Sequence, residues 1–156
     1  MERNVNFFLL AFLATAACQS ESANRSPPPD TSTTAAQETV LVAQARYDPT
    51  MFDTVQWVTD SAHLARGAEV FRWVCAECHG PTGKGDGGAV LHGDTLHPPS
   101  FLQPDWRFAN DEEGLRRRIF IGNARGMPHF GLRRMQATDI MAVQKYILIE
   151  LRAASN

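Results

Sequence analysis

The sequence predicts an all-α fold of three to five helices with no significant sheet, on three observations. Gly67, Val70, Phe71 and Val74 fall at i, i+3, i+4 and i+7, so they share one helical face. A second stripe, Ile140, Val143 and Ile147, runs through "TDIMAVQKYILIELRA" near the end of the chain. Between them, Gly- and Pro-rich loops separate the helical segments. The 156 residues leave room for one domain with extensions and one modest core.

Residues 1–17 read as an export signal. Arg3 supplies a positive start, and the apolar run "VNFFLLAFLATAA" comes next. That run has the length of a signal core and is too short to cross about 30 Å of hydrocarbon as a helix. Ala16 and Ala17 stand directly before Cys18. The arrangement resembles the lipobox of bacterial lipoproteins, with Thr15 where a Leu is usual. It implies a lipid anchor on Cys18 and a protein exported to the periplasmic or cell-surface side of a bacterial membrane. An ordinary secretory signal cut near Ala17 is the alternative. Gln19 after Cys18 favours an outer over an inner membrane in a two-membrane cell.

Residues 18–39 are Ser/Thr/Pro-rich and lack aromatics, which reads as a disordered tether. Roughly twenty to thirty such residues reach on the order of 30 Å as a coil. Residues 40–60 regain apolar content, and Tyr47, Phe52 and Trp57 are expected to pack on the domain as a lead-in; a partner-docking segment is the other reading.

The domain proper spans 61–156. Its first helix is expected over 61–75, capped by Asp60 or Ser61. Gly67 inside it costs about 1 kcal/mol against Ala, which a close helix crossing would explain. Residues 80–105 form a long loop, of a length that wrapping a cofactor would account for. A helix over 111–122 opens with Asp111, Glu112 and Glu113, acidic groups that favour a helix N-terminus. "RRR", 116–118, is expected on its outer face. The last helix is capped near Thr138.

Charge is unevenly spread. Residues 19–60 carry two Arg against six acidic side chains, and residues 61–156 carry twelve Lys/Arg against ten Asp/Glu. The excess is small and no basic stripe is interleaved with aromatics, so nucleic-acid binding is not indicated. "GPTGKGDGG" lacks the Gly-Lys-Ser/Thr ending of a phosphate loop.

The chemistry concentrates in "CAECH", Cys75 to His79. This fits the C-x-x-C-H pattern of c-type haem attachment. Two thiols three positions apart at a helix end can reach both vinyl groups on one haem edge, and the next residue is then placed to bind iron. Three other readings compete. A redox dithiol expects a βαβ context, which is not visible. A zinc site could recruit His92 or His97 beside Cys75, Cys78 and His79. A simple disulfide would leave one of the three cysteines over.

Downstream lies "GNARGMPHFG", 122–131. With it the chain resembles the class I cytochromes c of bacterial monohaem type over about residues 61–152. "GAEVFRWVCAECHG" is similar to the family's first helix and attachment motif, "PPSF" to its proline loop, and "GMPHF" to its Met ligand loop. Tyr146 stands among apolar residues where the family's last helix crosses its first.

The resemblance implies a class I cytochrome c fold around one covalently attached haem c per chain. Cys75 and Cys78 would hold it, with His79 and Met127 as axial ligands of the iron. A neutral thioether favours Fe(II) and raises the potential relative to two histidines. His129, His92, His97, Met135 and Met141 are rivals for the iron. The family's motif places the acceptor for the His79 ring N–H at the Pro99 carbonyl, with Pro98 the alternative. Phe71, Phe101 and Phe130 would wall the haem, and Trp106 or Arg107 could reach a propionate. Arg125, Arg133 and Arg134 flank the Met loop and could steer a negatively charged redox partner, or form a plain solvated surface.

The function so implied is one-electron transfer by a membrane-tethered carrier between donor and acceptor proteins, and no set of residues forms a substrate site that would make it an enzyme. The alternatives are a haem subunit of a larger membrane respiratory complex, and a sensor or peroxidase-like haem protein with a labile sixth ligand.

Overall fold

The computed structural model describes residues 31–153. The export signal, Cys18, the first part of the tether and residues 154–156 lie outside the described residues. Among those described, helices dominate and the one sheet is a two-stranded hairpin. In order, the elements are α1 (Thr31–Arg46), a 3-10 turn (Pro49–Phe52), α2 (Asp60–Val70), a π-helical turn (Phe71–Cys75) and α3 (Ala76–His79). Then come strands β1 (Val90–Leu91) and β2 (Asp94–Thr95), helices α4 (Glu112–Ile121) and α5 (Ala137–Tyr146), and a second π-helical turn (Ile147–Leu151). No helix among the described residues is long and apolar enough to cross a membrane.

The frame is the crossing of α2 and α5. A Cβ built on Gly67 would lie 2.1 Å from the Ala142 carbonyl oxygen and 2.6 Å from Tyr146 Cβ, so any larger residue would push the helices apart. This is the close crossing expected from the Gly67 cost. Val70, Phe71, Ile140, Val143 and Ile147 are buried around it, as their spacing requires. Two ion pairs lace its exposed edges. Arg66 Nε donates to Asp139 Oδ1 at 2.7 Å, with Nη2 to Oδ2 at 3.0 Å, and Lys145 Nζ reaches Asp60 Oδ1 at 2.5 Å.

Caps obey local chemistry. The Asp111 side chain accepts from Gly114 N–H at 2.8 Å and opens α4, and Gly122, at φ 69°, closes it. The cap of α2 is Thr59, one residue before the expected Asp60, with Oγ1 accepting from Ala62 N–H at 3.1 Å. Helix α5 begins at Ala137 after Gln136, without a side-chain cap.

Three expectations are corrected. The tether assigned to 18–39 is helical from Thr31 onward: α1 runs through it to Arg46. Val40 and Ala43 pack on the core while their neighbours Leu41 and Val42 are exposed, so apolar residues run round the helix and periodicity carries little signal there. The first helix does not stop at 75 but continues to His79 through a widened turn, in which Ala76 N–H bonds the Phe71 carbonyl. "RRR" does not form one outer face. Successive helical residues point about 100° apart. Arg116 turns inward over the Phe52 ring at 5.5 Å, Arg118 donates to the Gly122 carbonyl at 2.9 Å, and Arg117 alone is exposed.

The lead-in packs on the domain through its three aromatics. Tyr47 meets Phe120 edge-on at 5.4 Å, Phe52 is buried, and Trp57 stacks on His63 at 4.4 Å and 9°.

Candidate functional site

The widened turn ahead of α3 delivers Cys75 to the core side of the helix. Such turns gather at functional sites because they re-aim side chains. Cys75 packs against the hydrophobic core, Cys78 is half-buried, and both are free thiols. Burial pushes the Cys75 thiol up to about 12, with the Cys78 charge adding to it, and burial also raises Cys78. A redox dithiol needs a depressed thiol pKa, so this environment opposes that reading. No group of three or more His, Cys, Asp or Glu among the described residues is placed to hold a metal ion, and His92 and His97 are exposed, so the zinc reading gains nothing.

His79 closes α3. Its imidazole stacks on Phe101 at 4.5 Å, and Phe101 meets Phe71 edge-on at 6.2 Å. Burial lowers the His79 pKa to about 4, so the ring is neutral at physiological pH, the form that binds a metal. Its Nδ1 is buried with no hydrogen-bond partner. The expected bond to the Pro99 or Pro98 carbonyl is therefore not formed in this structure. The Pro98 carbonyl instead faces Gly85, where a Cβ would come within 2.1 Å of it, and Pro99 is exposed.

Gly85, at φ 84°, donates its N–H to the His79 carbonyl at 2.8 Å, and Phe101 N–H bonds the Gly83 carbonyl at 2.8 Å. The glycines after His79 thus let the loop fold against α3 and the Phe101 segment.

Met127 and Phe130 are half-buried and pack on the same core as Phe71, Phe101 and Cys75. The Met loop is fixed at its neck: Asn123 N–H donates to the Met127 carbonyl at 3.0 Å, and Asn123 Oδ1 accepts from Arg125 N–H at 2.7 Å. Among the rivals, His129 Nδ1 is tied to the Ile121 carbonyl at 2.5 Å, and Met135 and Met141 pack against the core. Trp106 is buried between Phe101 and Phe108, while Arg107 lies over the Phe108 ring at 4.8 Å. Arg125, Arg133 and Arg134 are all exposed.

Sequence reasoning missed the β1–β2 hairpin. Its Leu91, with Leu96 just beyond it, stands over Gly126 of the Met loop, where a Cβ would lie 2.9 Å from Leu91 Cδ2. The signal that could have found it is His92-Gly93, a two-residue turn with φ of 53° and 94° between the paired residues Leu91 and Asp94.

These residues fit a covalently held haem. They offer two free thiols, a neutral imidazole with an orphaned buried nitrogen, and aromatic walls. The family described as "Cytochrome C oxidase, cbb3-type, subunit III" matches residues 62–147. The chain belongs to this family. Membership in the cbb3-type subunit III family brings with it a c-type cytochrome domain, covalently bound haem c, haem-based electron transfer and an exported protein. The match runs from the first turn of α2 to Ile147, just past α5, so the α2–α5 frame and the site both lie inside it. No curated protein and no solved structure matches the chain.

Proposed function

We propose that this chain is a membrane-tethered one-electron carrier domain in which Cys75 and Cys78 hold haem c and His79 and Met127 are the axial ligands. When bound, haem c supplies the Fe(III)/Fe(II) couple. The chain's own residues do the rest: the two cysteines fix it covalently, His79 presents a neutral imidazole, and Met127 presents a thioether from a loop braced at Asn123. The observation that carries the reading is the packing of the Cys75–His79 segment and Met127 on one shared core. With both axial positions filled by the chain, no site remains for substrate, which supports a carrier rather than an enzyme in its own right.

Residues 61–156 are the cytochrome domain in this reading. Residues 1–17 serve as the export signal, Cys18 carries the lipid anchor, and 40–60 is the lead-in. Exposed Arg125, Arg133 and Arg134 around the Met loop support docking of a negatively charged partner.

The test is the absorption spectrum of the haem-loaded protein, oxidised and reduced, with Met127→Ala alongside. A low-spin, Met-ligated signature that the variant loses is the expected result. An unchanged spectrum removes Met127 from the iron, and a high-spin ferric spectrum in the native protein replaces the carrier with a sensor or peroxidase-like protein. A second reading, a haem subunit of a terminal oxidase, is favoured by the description of the family. Stable co-purification with membrane oxidase subunits supports it over a free carrier.

A further inference from the structure

The groove between α1 and α4 carries positive charge. Val40 and Leu41 of α1 form one wall, Arg117, Arg118 and Ile121 of α4 the other, and Arg107 lies at the end; its volume is about 660 Å³. The one acidic residue in the lining is Asp111, so three arginines less one aspartate leave a charge of +2. The Asp111 carboxylate is already engaged in capping Gly114 N–H at 2.8 Å.

No ion pair among the described residues involves Arg107, Arg117, Arg118 or Arg125. Arg118 bonds a neutral group, the Gly122 carbonyl, at 2.9 Å. Its pKa is lowered, first by burial and then by the charges of Arg107, Arg117 and Arg125, so Arg118 lies within the field of the other three. Like charges gathered in a groove whose one carboxylate is engaged in a helix cap repel one another, and an anion seated there offsets that repulsion.

We propose that this groove binds a phosphate group, either of a lipid headgroup or of a free phosphate. Its negative charge offsets the +2 of the lining. Paired guanidinium groups match phosphate oxygens two at a time. The volume lies in the ligand-cleft range of about 300–1,000 Å³. Val40, Ile121 and Leu41, the last 63% exposed, give an apolar wall beside the charge for whatever carries the phosphate. Arg116 takes no part, because it faces Phe52 and Gln144.

The experiment uses the haem-loaded full chain. Pyrophosphate is titrated by calorimetry, and co-sedimentation is measured on phosphatidylglycerol and on phosphatidylcholine vesicles. Arg117→Gln and Arg107→Gln, both at exposed positions that hold no helix together, are compared with Arg118→Gln. The expected result is one pyrophosphate per chain, bound about tenfold more weakly in each of the exposed variants, with the haem spectrum unchanged in Arg117→Gln. Retention on the anionic vesicles that pyrophosphate competes away assigns a lipid headgroup. Pyrophosphate binding without such retention assigns a free phosphate. Three results overturn the proposal. One is no binding to either probe. Another is binding that the variants leave unaltered. The third is a reduction potential that moves in the variants while pyrophosphate does not bind, which would give the arginines to the carboxylates of the haem.

Discussion

The α2–α5 crossing and the Phe71–Gly88 segment are neighbours with opposite characters. The crossing is complete in itself: Gly67 seats the Ala142 carbonyl, aliphatic side chains fill the seam, and Arg66–Asp139 and Lys145–Asp60 close the edges. The motif segment buries groups that polypeptide alone leaves unanswered. Cys75 is a half-buried free thiol packed on the core, and His79 Nδ1 has no acceptor. Buried polar atoms without partners occur elsewhere too, at Tyr47, Trp57, His63 and Arg116, so what sets the motif segment apart is an orphaned imidazole beside two free thiols three positions apart. In the proposed reading, the difference separates residues that hold the fold from residues that would hold the cofactor.

Cysteine substitution breaks the comparison most sharply. Cys75→Ala with Cys78→Ala is expected to abolish covalent haem altogether, read as loss of haem stain on a denaturing gel. Retained stain would detach the motif from the cofactor. Next comes Gly67→Ala, which drives a methyl into the Ala142 carbonyl and is expected to cost about 1–3 kcal/mol in denaturant unfolding of the haem-loaded protein. A neutral result would mean that the crossing is looser than its geometry states.

Arg66→Ala removes the bidentate contact to a part-buried Asp139 and should cost about 1 kcal/mol, the upper end for pairs near the surface, with the loss shrinking in high salt. The smallest effect belongs to His63. It stacks on Trp57, lies near Asp60 and Lys145, and has its pKa held below the ordinary 6.5 chiefly by burial. The unfolded chain therefore binds the proton first. Stability should fall as pH drops below about 6.5, level off below the folded pKa, and lose part of this slope in His63→Phe. Urea midpoints between pH 7.5 and 5 measure it; identical slopes in both proteins would exclude His63 as a source.

Much of this division was legible in the residues. Gly67 in an apolar stripe announced a crossing, the acidic run Asp111, Glu112 and Glu113 marked the start of α4, and C-x-x-C-H points to haem attachment. The features that escaped did so for physical reasons. Helix α1 carries exposed Leu41 and Val42 beside the packed Val40 and Ala43, which blurs its apolar face, and its opening threonines favour helix weakly. Strands of two residues are too short for alternation to show, which hid β1 and β2. The widened turn at Phe71–Cys75 leaves the apolar spacing of α2 intact and shifts only the residues of α3. The Pro99 acceptor is what the family resemblance implies, and the bond from the His79 ring is not formed in this structure.

The crossing has a kinetic side. Gly67 and Ala142 are brought together across 75 positions of chain, and the attachment motif and the Met loop both lie within that span. The entropy of closing so long a loop grows only with the logarithm of its length, yet contacts this distant slow folding. Once the two helices lock, the enclosed chain is confined to a small volume, and the search that brings Met127 toward the Cys75–His79 segment becomes local.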